Sequence, residues 1–150
     1  MQKIFKISFL IILSLVLSCK KKKNPAITNP NQVNTNVNVY IYKNTPEFFP
    51  LQVAGGWIYK AGGTSGLIVY RLAQNETNGD FVVFERNCPH EGGTNTNAIV
   101  YVQSDQITAK DTVCKSKFYI TNGTVITGPS AYPLKGYNTS YDGNVLHIYN

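Results

Sequence analysis

"KFYITNGTVITGPSAYPLKGYNTSYDGNVLHIY", residues 117 to 149, is the stretch that decides the fold. Apolar and polar residues alternate in "SKFYIT" and again in "NVLHIY", the two-residue period of a half-buried strand. Asn122-Gly123 and Asp142-Gly143 are tight-turn pairs, so "TNGTVITG" and "YDGNVLHIY" read as hairpins. Between them, Gly128, Pro129 and Pro133 form a segment with few free dihedrals, suited to covering a site built from other loops. Upstream the same alternation recurs in "VNVYIY", "GWIYK", "GLIVYRL", "DFVVFER" and "AIVYVQ", punctuated by Gly55-Gly56, Gly62-Gly63 and Asn78-Gly79. No window carries a 3.6-residue apolar period. The expectation is an all-β domain, an antiparallel sandwich or small barrel. The glycine doublets serve as turns, because no helix follows them to cradle a phosphate.

The N-terminus is a separate object. "MQKIFK" is basic, "ISFLIILSLVL" is apolar but too short to span a bilayer, and "VLSC" ends at Cys19. Val16, Leu17 and Ser18 before Cys19 resemble a bacterial lipobox, which implies a lipoprotein signal peptide over 1–18 and lipidation of Cys19. Several acyl chains, at about 0.8 kcal/mol per buried CH₂, would hold the chain to the membrane without crossing it. Residues 24–36, "NPAITNPNQVNTN", have little to bury and two prolines, so 19–36 is expected to be a disordered Lys/Asn/Pro tether and 37–150 the folded domain.

Charge location decides what the net +6 means. Lys3, Lys6 and Lys20 to Lys23 supply six of the 14 basic residues, leaving eight against eight acidic ones in the rest of the chain. A formally neutral domain has no basic stripe for phosphates, which excludes nucleic acid as a partner. The lysine run beside Cys19 is placed to meet anionic head groups or to act as a solvated spacer.

"NCPHEGG", residues 87 to 93, supplies the chemistry. Cys88, His90 and Gly92 resemble the first ligand loop of Rieske [2Fe–2S] proteins, Cys-x-His-x-Gly. Phe118, Gly123, Gly128-Pro129, Pro133-Leu134 and Tyr137 keep the rhythm that follows the second ligand loop in that family, without a gap. The resemblance runs from about Val37 to the end. It implies a Rieske-like domain with a two-loop ligand tip and a covering proline loop at Gly128, Pro129 and Pro133.

The second loop, "KDTVCKSKF", departs from the family's Cys-x-x-His-Gly-x-x-Phe. Counting back from Phe118 without a gap puts Cys114 at the histidine position, Asp111 at the cysteine position and Lys115 where glycine is expected. Keeping Cys114 as the cysteine instead puts Lys117 at the histidine and Phe118 out of register, or requires a three-residue deletion. Either way the Cys₂His₂ set is broken. The gapless version, adopted here, offers Cys88, His90, Asp111 and Cys114 as metal ligands, although Asp is a hard donor for an iron–sulfur centre. His147, in a strand expected at the base of the domain, reads as structural.

The leader also lacks the paired arginines of the route that exports folded cluster proteins, and suits the general pathway. In an oxidising envelope, the adjacency of the tips that the resemblance implies would allow a Cys88–Cys114 disulfide, contributing about 3.5 kcal/mol by loop closure. His90 then becomes a polar tip residue within reach of Asp111.

Three functions stand side by side. The leading one is a membrane-anchored binding or structural module, cofactor-free and stapled by Cys88–Cys114, with an unidentified protein partner. The second is an electron carrier with an unusual [2Fe–2S] cluster. The third is a thiol-redox or single-metal site, for which Lys115 and Lys117 could lower a cysteine pKa. Nothing resembles a nucleophile elbow or an acid–base pair, so a complete enzyme is not expected. The expected address is the cell envelope, at the outer membrane of a Gram-negative bacterium, since Lys20 replaces the Asp that retains lipoproteins in the inner membrane.

Overall fold

"LIVYR", Leu67 to Arg71, is buried at every position, and that explains the layout of the domain. In a strand, alternate side chains face opposite sides. Leu67 and Val69 enter one apolar cluster with Ile41, Phe48, Leu51, Phe81, Val83, Tyr141, Leu146 and Ile148. Ile68 and Tyr70 enter a second with Phe84, Cys88, Val100, Ala109, Phe118 and Ile120. This strand therefore separates two cores.

The computed structural model describes residues 29, 34–92 and 95–150. The leader, Cys19 and most of the tether lie outside the described residues. Among the described residues ten strands are formed: β1 (Asn38–Tyr42), β2 (Trp57–Lys60), β3 (Leu67–Arg71), β4 (Phe81–Glu85), β5 (Val100–Val102), β6 (Thr108–Asp111), β7 (Lys117–Tyr119), β8 (Val125–Thr127), β9 (Gly136–Tyr141) and β10 (Val145–Tyr149). They make two antiparallel sheets, of order β1-β10-β9-β4-β3-β2 and β5-β6-β7-β8. The antiparallel all-β architecture expected from the alternation is the one observed, and the helical content of the described residues is limited to 3₁₀ segments at Pro46–Gln52 and Asn78–Asp80.

The smaller sheet is inserted between β4 and β9 of the larger. Arg86, just past β4, lies 3.8 Å from the ring centre of Tyr59 on β2 and 4.8 Å from that of Tyr101 on β5, while the Tyr59 hydroxyl accepts the Val102 N–H at 2.9 Å. These contacts join an edge of each sheet. Both expected hairpins form. Gly123 (φ +74°) turns β7 into β8, and Gly143 (φ +89°) turns β9 into β10 with the Asp142 carboxylate accepting the N–H groups of Asn144 and Val145. Residues assigned to the tether also touch the domain: Thr35 O accepts from Asn150 Nδ2 at 2.9 Å, and Asn29 Nδ2 donates to Pro89 O at 2.7 Å.

A candidate thiol and carboxylate centre at the two-loop tip

The connection from β4 to β5 carries Cys88, His90 and Glu91; that from β6 to β7 carries Cys114. Each is fixed from below. Glu85 closes β4 as a buried carboxylate accepting from Thr64 N, Ser65 N, Asn87 N and the Tyr137 hydroxyl, all at 2.8–3.1 Å. Asn87 donates to Asn95 O at 3.0 Å, and Cys88 N–H donates to Ala98 O at 2.9 Å. The first loop is thereby held at both ends, with Cys88 at 0% exposure inside the second core.

Asp111 organises the other loop. Its Oδ1 accepts the N–H groups of Val113 (2.8 Å) and Cys114 (2.6 Å), a side-chain turn that places Cys114 over the first loop. This replaces the expected partnership with His90. Asp111 is 1% exposed, and its Oδ2 has no hydrogen-bond partner. The second loop is backed by Ser116, whose hydroxyl accepts from Ser130 N at 3.0 Å and meets Cys114 Sγ at 3.0 Å. Ser130 follows Gly128 and Pro129, so the proline segment packs against the Cys114 loop through a buried serine pair.

Lys115 has φ +65°, the left-handed region that glycine adopts freely and other residues occupy at a cost. It stands where the gapless register requires glycine, and the backbone has kept a glycine conformation. Lys115 Nζ donates to Thr112 O, which caps its own loop. Lys115→Gly is expected to raise the unfolding free energy by ~0.5–1 kcal/mol in urea titration, relief of strain exceeding glycine's added chain entropy. A loss of stability instead would mean that the lysine cap outweighs the strain.

The two loops bring Cys88 Sγ and Cys114 Sγ to 3.5 Å, as two unbonded thiols. One donor atom each from Cys88, Glu91, Asp111 and Cys114 lies within 4.8 Å of all the others. Of the four residues singled out in the sequence, Cys88, Asp111 and Cys114 converge; His90 is exposed and outside the group, its place taken by its neighbour Glu91. Glu91 carried no signal beyond lying in the same loop. His147 is in β10, stacked between Tyr40 and Tyr149 with Nε2 2.7 Å from Asn38 Oδ1. Neither histidine joins the group. This donor set does not fit a standard Rieske centre, which needs two histidines on one iron.

Burial is the main cause pushing the Cys88 thiol far above its ordinary pKa, with Glu91, Cys114 and Asp111 adding to it. Cys88 is thus held as a thiol in the metal-free molecule rather than poised as a nucleophilic thiolate. Cys114, half-buried, is the more accessible sulfur.

No known sequence family matches the chain, and no curated protein does. Among solved structures it is similar to a chain in the complex of reduced oxygenase and oxidized ferredoxin of carbazole 1,9a-dioxygenase, with 17% identity over 77% of this chain and 94% of that one, TM-score 0.47. The ferredoxin of carbazole 1,9a-dioxygenase from Nocardioides aromaticivorans matches at 14% identity over 77% and 98%, TM-score 0.46. The small subunit of a nitrite reductase described as NADH-dependent, from Mycobacterium tuberculosis, matches at 12% over 78% and 97%, TM-score 0.43.

Proposed function

We propose that this chain is a lipid-anchored, Rieske-type envelope module whose tip carries a Cys88–Cys114 thiol pair in place of a two-iron cluster, and that it serves as a binding or structural module. The observation that carries this reading is the 3.5 Å approach of the two sulfurs from different loops. Closing that gap to a disulfide needs a movement of ~1.5 Å, small for a half-buried side chain. The bond would tie the first loop to the second and hold the tip as one rigid surface for a protein partner. Cys19 lipidation and the tether would present that surface at the outer membrane, and the neutral domain leaves recognition to shape and hydrogen bonding rather than to charge.

The test is native mass spectrometry of the full chain, exported with its own leader, extracted in detergent and purified without air or reductant. A protein lighter by two hydrogens than the dithiol, and inert to alkylation until reduced, is the expected result. A mass heavier by two irons and two sulfides would overturn the reading and make the chain an electron carrier with a carboxylate-containing ligand set.

A further inference from the structure

We propose that in its reduced form the same tip binds one thiophilic divalent cation, with zinc the best fit, through Cys88, Glu91, Asp111 and Cys114, so that metal and disulfide are alternative occupants of one site. The inference rests on the thiol-pair reading above and adds a ligand, Glu91, that the sequence did not single out.

Geometry carries it. Zinc bonds of ~2.3 Å to sulfur and ~2.0–2.2 Å to carboxylate oxygen set tetrahedral donors roughly 3.3–3.8 Å apart. Two sulfurs at 3.5 Å, with four donor atoms all within 4.8 Å, match a single ion after small side-chain adjustments. The buried, partnerless Oδ2 of Asp111 is an independent sign. A buried acceptor without a donor is costly, and a cation is a physical remedy for it. The other oxygen of Asp111 is already fixed by two N–H groups, so the carboxylate is oriented before any ion arrives. Two thiolates and two carboxylates give the zinc site the same net charge as a Cys₄ site. The mixed donor set suits zinc or cobalt better than calcium or magnesium, which take oxygen, and better than copper(I), which favours soft donors over carboxylate.

Oxidation would empty the site. Cys88 and Cys114 thiolates lose two electrons as their S–S bond forms. A disulfide-class oxidant, a small-molecule or protein disulfide, takes up those electrons and two protons to become two thiols, and the cation leaves hydrated. The tip is then closed by metal when reduced and by a covalent bond when oxidised.

The experiment uses the full chain in detergent, reduced with a phosphine and desalted anaerobically, and titrated with Co²⁺ alone. One equivalent should bind, with the intense visible bands of tetrahedral cobalt and a thiolate-to-cobalt charge-transfer band. Zinc should displace it, and a small-molecule disulfide should abolish binding until the protein is reduced again. Cys114→Ser should cut the charge-transfer band to about half, the share of the one remaining thiolate, and Cys88→Ser with Cys114→Ser together should remove it. Glu91→Gln, a conservative change on a half-buried loop position, should weaken cobalt by at least ~10-fold, the scale of losing even an outer-shell partner. Weakening by His90→Ala instead, with Glu91→Gln unchanged, would overturn the assigned ligand set. A protein with two titratable free thiols and no tetrahedral cobalt spectrum would overturn the metal site and leave the thiol-pair reading standing. Iron and sulfide in the purified protein would remove both.

Discussion

Phe118→Ala is expected to lower the unfolding free energy by about 3–5 kcal/mol, read from urea or thermal unfolding. Phe118 is fully buried on β7, facing Ala109 across the β6 ladder and Val125 across β8, and it belongs to the same apolar cluster as Cys88. Truncation leaves a ring-sized void beneath a four-stranded sheet whose strands are three or four residues long and cannot easily collapse onto it. Tyr119, the next residue, points outward at 42% exposure, and Tyr119→Ala should cost less than ~1 kcal/mol. Equal effects at the two positions would mean that the register of the second loop is shifted by one residue. The comparison therefore also tests the gapless placement of Cys114 and Asp111.

A second large loss, about 2–4 kcal/mol, is expected for Gly128→Ala. A Cβ at this position would stand 2.4 Å from Ser116 Cα and 2.9 Å from Ser116 Cβ, and the residue has φ +113°. The clash is with backbone, so no rotamer change relieves it; overpacking contributes ~1–3 kcal/mol and the left-handed backbone ~1–2 kcal/mol. The damage is local to the site. Ser116 links Ser130 of the proline segment to Cys114, so displacing it should loosen the second loop and speed alkylation of Cys114 in the reduced protein. Gly79→Ala, whose Cβ would meet nothing nearer than Thr77 Oγ1 at 3.9 Å, is the control and should stay within ~0.5 kcal/mol. Unchanged alkylation in Gly128→Ala would mean that the proline segment does not restrain the thiol loop.

These two sites show how the fold serves the tip. The larger sheet is a platform, and the smaller sheet a frame that returns two loops to the same place. The proline segment buttresses the second loop through one buried serine pair. A site held this way depends little on which chemistry occupies it.

Much of this was legible in the sequence, for reasons of period and turn chemistry. The strands around Phe118 and Leu146 announce themselves because one face of each meets a core, and Gly123 and Gly143 mark turns that need positive φ. Convergence of Cys88 with Cys114 was expected through the family resemblance, and the rhythm of Phe118, Gly123 and Gly128 located it. The strand missed was β6, "TAKD": its polar residues alternate too weakly to signal a sheet, and backbone pairing with β5 and β7 draws it in. The run in β3 reads as a strand, but only the tertiary arrangement shows that both its faces are buried, because a second sheet lies over it.

The donor set divides in the same way. The sequence by itself determined an all-β chain with a thiol on each of two loops and a rigid Gly-Pro segment after them, because alternation and turn residues act over a few neighbours and are written locally. Which side chain stands beside those thiols was decided by the tertiary structure. His90 and Glu91 are adjacent, and a loop pinned at Asn87 and Cys88 can turn only one of them inward. The packing of that loop against Asp111 and Cys114, residues distant in the chain, selects the glutamate and leaves the histidine in solvent.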